Sequence, residues 1–118
     1  MNRDDADSDV ALLEDMLWFA REAMMLVDGV GFVDSSRDAM WQRALERVLE
    51  LVGEVARRVS PNWQRRHEGV PGRKLVGQRN VLAHMYGRVD QFQLYRTATE
   101  GLQGLVGAVD RMLEGMDE

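Results

Sequence analysis

Apolar residues recur along this chain at alternating steps of three and four, the spacing of a helix packed on one side. Val10, Leu13, Leu17, Ala20, Met24 and Val27 form the first such stripe, with Ser8 or Asp7 placed to cap its start and Asp28-Gly29-Val30-Gly31 to end it. A second helix opens at Ser35-Ser36-Arg37-Asp38, where Ser35 and Asp38 have capping-box spacing. It aligns Trp41, Leu45, Val48, Val52, Val55 and Val59, and Ser60-Pro61 stops it. A third, shorter helix spans about Lys74 to about Arg88, and the last aligns Tyr95, Ala98, Leu102, Leu105, Val109 and Met112. Asn62 to Gly72 reads as a loop between Pro61 and Pro71, with one helical turn at Trp63 to His67. Nothing alternates with the period of a strand. The predicted architecture is all-α, an antiparallel four-helix bundle forming a single domain over residues 1–118, with residues 1–7 disordered.

Composition narrows the chemistry. No apolar run is long enough to span a membrane, and the acidic start Met1-Asn2-Arg3-Asp4-Asp5 is unlike a signal peptide, so a cytoplasmic protein is expected. There is no cysteine, which removes disulfides, thiolate catalysis and cysteine-based zinc sites, and two histidines leave little for a metal site; no metal and no cofactor are expected. The net charge of −5 is unevenly spread. From Arg57 to Arg88 there are eight basic residues and one acid, a local +7, against 7 basic and 19 acidic residues elsewhere, or −12. Such a basic zone steers a polyanion to one place, although a merely solvated face is the competing reading.

The third helix carries the candidate chemistry. At ~100° per residue, with Leu75 at zero, Leu82, Met85 and Val89 lie on the core-facing stripe. His84 falls at about 180° and Asn80 at about 140°, facing away from it, with Gly77, Gly87 and Arg88 on the same side. His84 is therefore not a core histidine in a regular helix. Arg79 lies about 140° from His84, and two residues five apart do not converge on one atom of a straight helix. A shared site needs either a helix break or a second copy presenting its own Arg and His across a two-fold axis. Tyr86 lies on the Arg79 side. In the last helix, Gly101, Gly104 and Gly107 either admit another helix closely or simply weaken their own; both readings stand.

Arg79-Asn80-x-x-x-His84-x-Tyr86 resembles the Arg-x4-His-x-Tyr motif of HepT-type toxins, a branch of the HEPN superfamily of all-helical ribonucleases. Val52-Gly53-Glu54-Val55-Ala56 is similar to the family's second helix, and Val76-Gly77-Gln78 and Val89-Asp90 match its flanks. The likeness extends from Leu12 to Leu113, with one visible departure, Gly72 where many relatives have Trp after the Pro.

The resemblance implies a homodimeric endoribonuclease that needs no metal. In that chemistry the ribose 2′-hydroxyl attacks the adjacent phosphate, His84 moves the proton, Arg79 stabilises the growing charge, and Asn80 orients the imidazole or holds the phosphate. Arg65, Arg66, Arg73, Lys74 and Arg88 are the candidate RNA contacts. The resemblance also implies a toxin–antitoxin pair, in which a minimal nucleotidyltransferase antitoxin adenylylates Tyr86 and silences the toxin. The alternative is a non-catalytic subunit that serves a nucleotidyltransferase as substrate or scaffold. His67 and Trp63 read as loop-solvating and bundle-covering residues rather than RNA contacts.

Overall fold

The computed structural model describes residues 3–59, 61, 65, 72–84 and 89–116, and among these it contains helices and no strands. Helix α1 spans Arg3–Val27, α2 Ala39–Arg58 and α3 Gly72–His84. Helix α4 covers 91–116 and is interrupted by a π-turn at Thr97–Gly101. A single helical turn, Phe32–Ser35, lies between α1 and α2. The all-α bundle expected from the stripes is thus what forms. The turn expected at Trp63 to His67 lies largely outside the described residues, with only Arg65 described and helical there.

The stripes explain which faces meet. Leu13, Leu17, Ala20 and Val27 of α1, Leu45, Val52 and Val55 of α2, Leu75 and Leu82 of α3, and Ala98, Leu102, Leu105 and Val109 of α4 are all buried in one core. The periodicity missed Met16, Ala23, Leu49, Ala56 and Leu94, which widen each stripe and are also buried. Helix α2 is central, packed extensively on both α1 and α3, while α4 lies mainly along α1.

Caps and connectors differ from expectation in three places. Helix α1 begins at Arg3, so it runs through Asp7 and Ser8 instead of starting on them, and residues 3–7, expected to be disordered, are helical. The Ser35–Asp38 capping box does not form. Asp38 itself is the N-cap of α2, its carboxylate accepting from Trp41 N at 3.0 Å, whereas Ser35 is buried and donates to Phe32 O. The carboxylate sits one helical turn earlier than a capping box requires because the chain is still extended at Asp38. The third difference is the π-turn in α4. Thr97 Oγ1 and Thr99 Oγ1 donate to the carbonyls of Gln93 and Tyr95, four residues back, and such back-bonding perturbs the helical ladder.

Other ends match. Gly29, at φ 72°, takes the left-handed conformation that closes α1, and Val59 is extended just ahead of Ser60-Pro61. The connector after α1 is tied down by Trp41 Nε1 donating to Leu26 O (2.8 Å) and Tyr95 Oη donating to Val30 O (2.6 Å). Phe32 packs edge-on against Phe92 (5.1 Å), and Arg21 of α1 forks onto Asp110 of α4.

Two glycines with opposite surroundings separate packing from propensity. A Cβ on Gly53 would lie 2.5 Å from the Leu75 carbonyl oxygen and would also run into Arg79 Cβ. At the exposed Gly104 nothing stands within 4 Å, so among the described residues no other helix packs on α4 at that glycine. Gly104→Ala is expected to stabilise by up to about 1 kcal/mol. Gly53→Ala forces α2 and α3 apart and is expected to cost a net ~1–2 kcal/mol, overpacking outweighing propensity. Urea unfolding of the two variants beside the parent checks the opposite signs.

Candidate active site

The close approach of α2 and α3 at Gly53 decides where Arg79 points. Because α2 has no side chain there, the backbone of α3 at Leu75 and Arg79 settles directly on it, and the Arg79 side chain emerges beside the next residue of α2, Glu54. Arg79 Nε lies 3.0 Å from Glu54 Oε2, an ion pair in which the N–H is not aimed along the contact. At its other side Arg79 Nη1 donates to Asn80 Oδ1 at 3.1 Å. The guanidinium therefore lies between an ion-pair partner, Glu54, and one hydrogen-bond acceptor, Asn80 Oδ1, with a quarter of the side chain exposed.

Glu54 is shared. Arg57, one turn further along α2, donates from Nη2 to Glu54 Oε1 at 2.7 Å. That hydrogen bond is the main influence holding the Glu54 carboxyl below its usual range; burial opposes it, and the charges of Arg57, Arg79 and Arg58 add to the lowering. The Arg57 guanidinium is raised by the same hydrogen bond. Two arginines on one carboxylate leave the cluster with net +1 at the end of α2 where the basic zone begins.

The remaining motif residues follow the helix. Asn80 is exposed, as its wheel position required, and Lys74 and Gly77 are exposed as well. Helix α3 runs unbroken through His84, so of the two ways for Arg79 and His84 to share a site, a break between them is absent. His84 is placed by its backbone alone. Tyr86, Arg88, Arg66, His67, Trp63 and Met85 lie outside the described residues, as does the side chain of Arg73. Arg65 is described and exposed. Val89, expected on the core stripe of α3, lies beyond the end of that helix yet still packs half-buried against the core. Asp90 then caps α4, accepting from Gln93 N at 3.1 Å.

Between α3 and α4 runs an open groove of about 660 Å³, whose walls include Lys74, Gln78, Val81, Gln93 and Arg96. It is bridged at one point by Gln78 Nε2 donating to Thr97 Oγ1 at 3.4 Å, next to the π-turn. No helix among the described residues is long and apolar enough to cross a membrane.

Glu54 had no assigned role in the sequence beyond its place in a motif. The available signal was the wheel: Arg79 lies only ~40° from Leu75, so a basic side chain on the core-facing edge of α3 calls for an acidic partner on the helix it meets.

An all-helical bundle carrying Arg79-Asn80-x-x-x-His84 on a short third helix defines the class, and comparison with known proteins specifies it. The ribonuclease HepT-like family matches residues 16–112, and the chain belongs to that family. It is similar to the "Probable ribonuclease HepT" of Thermococcus cleftensis, 29% identical over 103 residues, which cover 84% of this chain and 94% of that one. It is also similar to the "Putative RNase MJ1380" of Methanocaldococcus jannaschii, 28% identical over 90 residues, 76% of this chain and 83% of the relative. No solved structure matches it significantly.

The Glu54 cluster has a pH signature. A carboxyl whose folded pKa is depressed stabilises the fold above its unfolded pKa and loses that contribution as pH falls through the folded value. The stability difference between the parent and Glu54→Gln is expected to be full at neutral pH and to close as pH drops below the ordinary carboxylate range. Unfolding in urea at neutral and acid pH measures it.

Proposed function

We propose that this protein is an endoribonuclease whose site is built from Arg79 and His84 of two copies of the chain. The observation that carries this reading is the unbroken course of α3: Arg79 is turned toward α2 and tied to Glu54, while Asn80 faces solvent and His84 follows one turn later on the same helix. A single straight helix does not bring both groups to one phosphate, and a two-fold pairing of the α3 faces does. Family membership supports RNA as the substrate.

In this reaction the ribose 2′-oxygen attacks the neighbouring phosphorus and the bond to the 5′-oxygen of the next nucleotide breaks. The products are a 2′,3′-cyclic phosphate and a free 5′-hydroxyl. His84 takes or returns the proton, which an imidazole does best near neutrality. Arg79 donates to the phosphate oxygens as their charge grows. Asn80, already bonded to Arg79, orients that guanidinium or the phosphate. Dependence on the 2′-hydroxyl restricts cleavage to RNA. The exposed Arg65 and Lys74 lie in the stretch of chain that would lead a strand to the cleft, together with Arg66, Arg73 and Arg88. No step in this scheme uses a metal.

The reading extends to control. Tyr86, two residues past His84, is the position at which a minimal nucleotidyltransferase antitoxin would add AMP, and the added phosphate would compete with RNA for Arg79. The protein would then act as the toxin of a toxin–antitoxin pair in the cytoplasm.

Arg79→Ala and His84→Ala are each expected to lower cleavage of single-stranded RNA by at least about 100-fold with the helical fold intact, while EDTA leaves the parent's activity unchanged. Gel-resolved cleavage beside circular dichroism checks this, and a His84→Ala protein as active as the parent overturns it. Co-expression with the partner transferase is expected to add AMP to the parent and not to Tyr86→Phe, read by intact mass.

A further inference from the structure

We infer that Glu54 is a positioning residue for Arg79: its carboxylate fixes the guanidinium from the Nε side so that the Nη atoms are set for a phosphate, and Arg57 keeps that carboxylate in place. The inference rests on the proposed role of Arg79.

Three observations converge on it. Gly53 lets the backbones of α2 and α3 touch, so Arg79 starts from a fixed point beside Glu54 rather than swinging at the end of a long side chain. Arg57 grips both oxygens of Glu54, Nη2 donating to Oε1 at 2.7 Å and Nε to Oε2 at 3.4 Å, so the carboxylate is anchored on its own helix while Oε2 also lies 3.0 Å from Arg79 Nε. Asn80 Oδ1 holds Nη1 from the other side at 3.1 Å. An arginine engaged through Nε loses rotational freedom but keeps donors on its outer end, and orienting partners of this kind commonly carry a substantial share of a site's efficiency.

The ion pair also has an opposing effect that makes the role measurable. Glu54 partly neutralises Arg79 and so weakens ground-state attraction for the polyanion, while improving alignment in the transition state. Removing the charge should therefore lower kcat without raising KM. A bond that served only to hold α2 against α3 would change stability and leave that split unmoved.

The experiment uses the full chain on a fluorophore-labelled single-stranded RNA of mixed sequence. Glu54→Gln keeps the shape and is expected to lower kcat about 10- to 100-fold with KM unchanged or reduced. Combined with Arg79→Ala it is expected to cost nothing beyond Arg79→Ala alone, since both act through one guanidinium. Glu54→Asp retains the charge one methylene short and is expected to fall between Gln and the parent; should Glu54→Gln not fold, Glu54→Asp decides the matter by the same kcat–KM split. A folded Glu54→Gln (or, in that case, Glu54→Asp) with the parent's kcat, beside an inactive Arg79→Ala, overturns the positioning role and leaves Arg79 in place. An Arg79→Ala protein that cleaves normally overturns the reading of Arg79 itself and this inference with it.

Discussion

The missing side chain at Gly53 is the constraint from which the site follows. Helices ordinarily pack with their axes 8–10 Å apart because side chains separate them. At Gly53 the backbone of α3 meets α2 directly, with the Leu75 carbonyl and Arg79 Cβ occupying the space that a methyl group would need. Everything near that point is thereby set in register. Leu75 and Leu82 reach the core on one side, Arg79 reaches Glu54 on the edge, and Asn80 is left facing outward. A bundle held by apolar stripes alone tolerates small slides between helices. One held at a backbone contact with an ion pair beside it does not.

Much of the fold was legible because the stripes are regular. Four helices, their core faces and the stops at Gly29 and at Ser60-Pro61 all follow from periodicity and from glycine and proline chemistry. The details that escaped are those decided between segments. Whether Asp38 or Ser35 caps α2 depends on where the chain turns out of the Phe32–Ser35 turn, and that is settled by Phe32 packing on Phe92 and Tyr95, some sixty residues away. The π-turn at Thr97–Gly101 depends on threonine hydroxyls competing for carbonyls, which a count of apolar positions does not register.

The candidate site was legible in the opposite way. Its residues came from a motif, and geometry supplied the reasons. Asn80 lies on the exposed face as its angle required, while Arg79 does not simply point elsewhere but is engaged by its own chain. The Gly53-Glu54 pair, noted only as a likeness, proves to be the contact surface and the counter-charge for the motif arginine. A pattern that spans two helices is invisible to a wheel drawn for one. Arg79 and Glu54 become a pair only when α2 and α3 are placed together.

In the proposed reaction a working site draws its arginine and its histidine from different copies of the chain. Mixing Arg79→Ala and His84→Ala proteins after reversible unfolding tests it directly. Each mixed dimer would hold one composite site with both groups intact, so RNA cleavage should return to about a quarter of the parent's level from two inactive components. A mixture that forms mixed dimers yet stays as inactive as either variant alone would contradict the claim.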